Sequence, residues 1–333
     1  MCNLVLSEYM YLIPIEELKK GDILLTSENS ATSKVVRKST KSDFSHAIIY
    51  VGSGSYIHSD AKGVHSGNLQ RLLFDAAENV TVLRSECNPE VIDQACMFAR
   101  SKIGTKYSVK SAINAKLKTS KNENENRQFC SRLVAQAYEY AGVMLVKNTS
   151  FCTPQEILNS TKTYKISCKV RKATNAEVNF ASSESPLEKQ SAITNEILSK
   201  VRAVSKEDIQ TLDQITQYVS THPEHDEEIS KIYRESGYLT MWEYEVQKNA
   251  WRYDGELFLN LPLSTNKLVK IAKFEKSSAE ERLSLYKKNW EQYFYINEIH
   301  KLEYSRIQFE LYKKLVENTL DNINAAEYVL ENS

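Results

Sequence analysis

Two residues far apart in the chain, His46 and Cys130, are the types from which thiol chemistry is built. A cysteine hydrolase needs a thiol that attacks a carbonyl, an imidazole that moves the proton, and a third polar group that fixes the imidazole's tautomer. Cys130 opens the run Cys130-Ser131-Arg132-Leu133-Val134 after a polar stretch. At the start of a helix, the dipole and the unpaired backbone N–H groups favour a thiolate. His46 heads Ala47-Ile48-Ile49-Tyr50-Val51, whose apolar, β-branched character predicts a buried strand that holds the ring at its first position.

The third group is expected to be His58, with His65 as the alternative if the strand register differs. Side chains alternate along a strand, so His46 and His58 share a face only if the turn between them has an odd length or carries a bulge. Gly52 and Gly54 permit one. A symmetric turn would set His58 opposite Ile49 and aim it away. Three histidines and a cysteine are also zinc-ligand types, but their spacing fits no compact finger, so no metal is expected.

Around these residues the sequence lays out a mixed domain. Ile15-Glu16-Glu17-Leu18 suggests a short helix, Gly21 to Thr26 a turn into a strand, and Ser55-Tyr56-Ile57-His58 a strand returning from His46–Val51. Asn88-Pro89-Glu90 starts a helix that Gly104 closes. Lys118 to Gln128 is polar and repetitive and reads as a loop before Cys130. Leu133, Val134, Ala137 and Ala141 then recur at helical spacing up to Gly142, and Thr153-Pro154-Gln155-Glu156 forms a capping box. No glycine lies between Gly142 and Gly237, so the second half should be helical, with the small polar stretch from Asn175 to Pro186 as a linker. The expected domains are 1–170 and 187–333. From Ser277 onward the pattern fits one very long helix or an antiparallel pair.

Composition narrows the function classes. The 333 residues carry 43 basic and 43 acidic side chains, a net charge of zero. That length supports two domains without covalent staples, and the balance gives no global field to gather nucleic acid or anionic membrane. No phosphate loop, dinucleotide fingerprint or RNA platform is visible, so no cofactor and no nucleic-acid partner are expected. The six cysteines show no C-x-x-C spacing and read as reduced thiols. The segment Met1 to Glu8 lacks the basic region of a signal peptide, and no run approaches the ~20 apolar residues that span a bilayer. Neither export nor stable membrane insertion is expected. The expected location is the cytoplasm of the producing cell, although a specialised secretion route would leave no trace in these residues.

Gly21-Asp22-Ile23-Leu24, Ser45-His46 leading an apolar strand, His58, and Cys130-Ser131 with Leu133-Val134 opening a helix together resemble the YiiX-like group of circularly permuted NlpC-type papain-like cysteine hydrolases. More distant is the similarity to lecithin retinol acyltransferase-type enzymes, which share the histidine-before-cysteine order. Gly104-Thr105-Lys106-Tyr107 and Thr153-Pro154 look like further elements of the group, and the match spans roughly residues 15 to 160. The resemblance implies a bacterial enzyme of α+β class: a permuted papain-like core, with an antiparallel sheet packed on the cysteine helix, followed here by an all-helical domain. It also implies Cys130 as nucleophile, His46 as base and acid, and His58 as orienter, with the Cys130 backbone N–H as an oxyanion donor. Tyr107 and Ser45 are candidates for the substrate pocket. The expected function is a thiol peptidase or amidase that works through an acyl-enzyme on a peptide or acyl substrate. An acyltransferase or lipid-ester hydrolase is the alternative within the same chemistry. Of another class is an interaction or effector protein, whose helical domain binds a protein partner.

Overall fold

Ile23-Leu24-Leu25 and Ala47 through Val51 are apolar at every position, a pattern that requires a sheet covered on both faces. The computed structural model describes residues 10–28, 42–107 and 127–333, and has such a sheet. Strands β2 (Ile23–Thr26), β3 (His46–Gly52), β4 (Ser55–Asp60), β5 (Gly63–Asn68), β6 (Val80–Ser85) and β7 (Thr163–Ile166) run in the order β5-β4-β3-β2-β6-β7. Every pairing is antiparallel. A two-stranded sheet joins β1 (Tyr11–Leu12) to β8 (Arg171–Lys172).

Alternate residues of the central strands feed different cores. Ile23, Leu25, Ala47, Ile49 and Ile57 pack with Ala95, Cys96 and Ala99 of helix α1 (Pro89–Ser101) and with Leu133, Val134 and Ala137 of helix α2 (Cys130–Tyr140). Leu24, Ile48, Tyr50 and Tyr56 pack with Leu18, Leu69 and Phe74. Helix α3 (Pro154–Leu158) starts in the capping box expected at Thr153. Together these elements form the α+β arrangement of sheet against cysteine helix.

The turn between β3 and β4 decides which way His58 points. Ile49 pairs with Ile57 and Tyr50 with Tyr56, but Gly52 pairs with Ser55, so the register slips by one residue around Val51. Gly52, Ser53 and Gly54 all adopt positive φ to make this bulged turn. Continuing the Ile49–Ile57 register sets His58 against Ile48, on the face of His46.

Gly21 and Asp22 are structural anchors. Gly21 has φ +87°, and a Cβ there would meet Ile92 at 2.8 Å. Its N–H donates to Tyr50 O and its carbonyl accepts the Tyr138 hydroxyl, which fixes α2 to the sheet. Asp22 is 1% exposed and takes a two-pronged contact from Arg84 Nε (2.7 Å) and Nη2 (2.6 Å), along with the Lys19 N–H at 2.7 Å.

Several elements were not expected from the sequence. The stretch read as a linker contains helix α4 (Asn175–Ser182), which starts in a Thr174/Glu177 capping box. Arg71 holds its end through the carbonyls of Ser183 and Glu184. Strands β5, β7 and β8 also lacked a strong apolar alternation. The segment Met1 to Glu8 and the polar run up to residue 126 lie outside the described residues.

The chain divides into two compact units, Met1–Ser191 and Ala192–Ser333. The second is helical: α5 (Pro186–Ser205, in which the division falls), α6 (Leu212–Thr221), α7 (Asp226–Ser236), α8 (Met241–Lys248) and α9 (Gly255–Leu259) precede α10 (Thr265–His300) and α11 (Glu303–Asn332), the antiparallel alternative for the C-terminal pattern. Lys301, at φ 54°, makes the reversal. One of its cores is rich in tyrosine: the hydroxyls of Tyr293 and Tyr304 both meet Thr216 Oγ1 at 2.9 Å. Among the described residues no helix is long and apolar enough to cross a membrane.

The Asp22–Arg84 pair makes a direct prediction. Asp22→Ala leaves a partly buried guanidinium without its carboxylate and should lower stability to urea by about 3–5 kcal/mol. A loss below about 1 kcal/mol would mean that the pair does not hold β2 to β6.

Candidate active site

Cys130 is the first residue of α2 and is 7% exposed. Helices α1, α3 and α4 each begin with a side chain that accepts a hydrogen bond from the first turn: Asn88, Thr153 and Thr174. At α2 the preceding residue is Phe129, and no side chain caps the turn. Its leading N–H groups are left for whatever occupies the site. Ser131 is held from behind, its hydroxyl donating to Cys152 O at 2.7 Å.

The sheet brings the two histidines together. His46 Nε2 and His58 Nδ1 are 2.8 Å apart, with the rings edge to face. His65 stands directly opposite His58 on β5, with ring centroids 4.3 Å apart. Asp60, two residues beyond His58, has Oδ1 3.1 Å from His65 Nε2. Asp60 was missed in the sequence, although a residue at i+2 from His58 on a strand must share its face.

Tyr107 follows a segment that Gly104 N–H to Val64 O and Val64 N–H to Thr105 O pin to β5. A bridge to Gln128 brings it alongside the chain entering Cys130. Ser45, the other pocket candidate, is tied to Thr26 O through its backbone N–H at 2.9 Å.

Loss of water dominates the electrostatics. Burial pushes the Cys130 thiol up, and the backbone N–H groups of Ala47, Ser131 and Cys130 itself oppose it. Burial pushes His46 down to about 4; Asp60 works against that shift and His65 with it. His58 lies well below the ordinary imidazole value for the same first reason, with His46 and His65 adding to it. The thiolate expected at a helix start therefore meets a larger opposing effect, and burial favours the neutral form of the Cys130 thiol and of the His46 and His58 rings. Burial also raises the Tyr107 phenol, with the sulfur and Asp60 next in effect, so its hydroxyl keeps its proton. Burial alone would raise Asp60, but contact with His65 and the Lys62 N–H hold it well below the usual carboxylate range.

A family model for permuted papain-like amidase enzymes, the YaeF/YiiX or C92 family, matches residues 17–185, just over half of the chain. The chain belongs to that family. C92 membership makes this a papain-like hydrolase of the amidase type, and the matched span contains His46, His58, Tyr107 and Cys130. Among solved structures, the chain is similar to metalloprotein yiiX from Escherichia coli O157:H7, with 16% identity over 46% of this chain and 98% of that chain and a TM-score of 0.32. No curated protein matches the chain.

The depressed His46 value links folding to pH. Unfolded, the imidazole titrates near 6.5; folded, it titrates at about 4, so between those values the unfolded chain binds more protons. Stability is complete above pH 6.5 and falls as the pH drops toward 4, by at most about 3 kcal/mol from this residue, less in proportion to the part of the ring that still meets solvent. Urea midpoints measured across this window should show the loss, and His46→Gln should reduce the slope, leaving the share that the buried His58 ring contributes. An equal slope in the variant would contradict the burial of a neutral ring.

Proposed function

We propose that the protein is a cysteine amidase or peptidase that cleaves an amide bond through an acyl-enzyme, with Cys130, His46 and His58 as its triad. The observation that carries this reading is the helix of Cys130, left uncapped beside a strand whose first residue is one of two hydrogen-bonded histidines. With Nε2 engaged by His58, His46 can offer only Nδ1 to the thiol. His58 Nδ1, acting as acceptor, holds His46 in the tautomer that carries its proton on Nε2, and Nδ1 is then a free base.

In this reading Nδ1 takes the thiol proton as sulfur attacks the carbonyl carbon. The oxyanion lies against the uncapped N–H groups of α2, and the Tyr107 hydroxyl, protonated and close enough to the sulfur to feel its charge, is a second donor. His46 then passes its proton to the leaving amine, and water releases the acyl group. A peptide is the substrate class, and the cytoplasm of the producing cell is the site of action. The helical unit would select partner or substrate; Phe294, Tyr295 and Ile299 on α10 are 47%, 64% and 74% exposed, enough apolar surface for a protein contact.

Because thiol and imidazole rest neutral, alkylation of Cys130 by a small thiol reagent should climb steeply from pH 7 to 9. A preformed ion pair would give a flat, acid-shifted profile instead. In amidase assays on peptide libraries, Cys130→Ala should abolish turnover, while His46→Ala should cost about 10²–10⁴-fold in kcat. Amide cleavage that survives Cys130→Ala, with Cys130 no more reactive than Cys87 by mass spectrometry, would overturn the assignment.

A further inference from the structure

The β4–β5 hairpin carries more than the triad uses. His58 and His65 are cross-strand partners, and Asp60 is two residues beyond His58, so all three side chains leave the same face of one hairpin. A ligand atom from each lies within 4.8 Å of the other two. Two imidazoles and a carboxylate form a common donor set for a divalent transition metal.

Two features point to an ion rather than to a merely polar cluster. His65 Nε2 is buried and has no aligned hydrogen-bond partner; at 3.1 Å from Asp60 Oδ1 it is close to the carboxylate but off the line of a hydrogen bond. That separation is about the spacing of two ligands that share one ion at ~2.0–2.1 Å bonds. The outer nitrogens are also engaged, as those of metal-bound histidines are: His65 Nδ1 faces Ser66 O at 3.4 Å, and His58 Nδ1 faces His46 Nε2 at 2.8 Å. On both rings this leaves Nε2 as the ligating atom. The Asp60 side chain is 38% exposed, so water can complete the coordination.

We propose that His58, Asp60 and His65 form a binding site for a divalent transition metal such as Zn²⁺, separate from the nucleophile but sharing His58 with the triad. Occupancy has a consequence that rests on the reading of His46 as the base. An ion on His58 Nε2 leaves that ring's proton on Nδ1, which reverses the hydrogen bond to His46. His46 then accepts at Nε2, carries its own proton on Nδ1, and cannot take the thiol proton. The metal-bound enzyme is the blocked form and the metal-free enzyme the competent one.

The test is titration of the metal-free full-length protein with Co²⁺, read by its d–d absorption, and with Zn²⁺, read by calorimetry. One equivalent should bind. His65→Gln and Asp60→Asn should each weaken binding at least tenfold, with circular dichroism confirming their fold, while Cys130→Ala should bind like wild type. Saturating Zn²⁺ should slow Cys130 alkylation at least tenfold in wild type and leave the His65→Gln rate unchanged. Absence of binding by either ion overturns the site. So does binding that Cys130→Ala removes and His65→Gln retains, because the ion would then sit on the nucleophile. The binding arms do not depend on amidase activity. Failure of the catalytic assignment would appear as amide turnover that persists in metal-free Cys130→Ala.

Discussion

Removing a thiol and two imidazoles from water at one end of a sheet is the constraint to which the rest of the first unit answers. A buried ionisable group is stable only when neutral or met by a partner of opposite charge. Here the thiol and His46 move in opposite directions, toward their neutral forms. Burial therefore keeps the Cys130 thiol and the His46 ring uncharged at rest. What the fold supplies in advance is dipoles: the uncapped turn of α2, the Ala47 N–H, and the Tyr107 hydroxyl. Such groups stabilise charge when it develops without requiring water to reorganise.

Positioning is divided between local turns and one long-range anchor. Gly21 and Asp22 are far from the sulfur in sequence, yet Gly21 receives Tyr138 from the cysteine helix and Asp22 ties β2 to β6 through Arg84. Cys130 and His46 thus sit on elements fastened to the same corner of the sheet. The β5 hairpin is clasped in turn by the Gly104–Thr105 segment, which leads to Tyr107.

Much of this was legible in the residues, for identifiable reasons. The strand from His46 and the helix from Cys130 announce themselves by unbroken apolar content and by helical spacing, signals that burial imposes directly. The capping box at Thr153 is equally local. The face of His58 was legible only as a conditional, because it depends on one residue of slippage that Gly52 and Gly54 allow but do not require. β5 and β7 escaped because they are polar strands whose pairing partners, not their own composition, make them strands. The helix from Asn175 was hidden by its small polar residues, and its stability comes from the Thr174 cap and the Arg71 contacts. Asp60 was missed because a carboxylate at a hairpin end is ordinarily a turn residue.

The slipped pair at Val51 has a consequence for how this chain can vary. Its effect is one of parity: removing or adding a single residue between His46 and His58 would restore a regular ladder, turn every later side chain of β4 to the other face, and leave the strands themselves intact. The turn is thus fixed in length modulo two, beside the glycines that its positive φ angles favour. Insertions that arrive in pairs are compatible with the imidazole contact, and single ones are not, however harmless the same change would be in an ordinary surface hairpin.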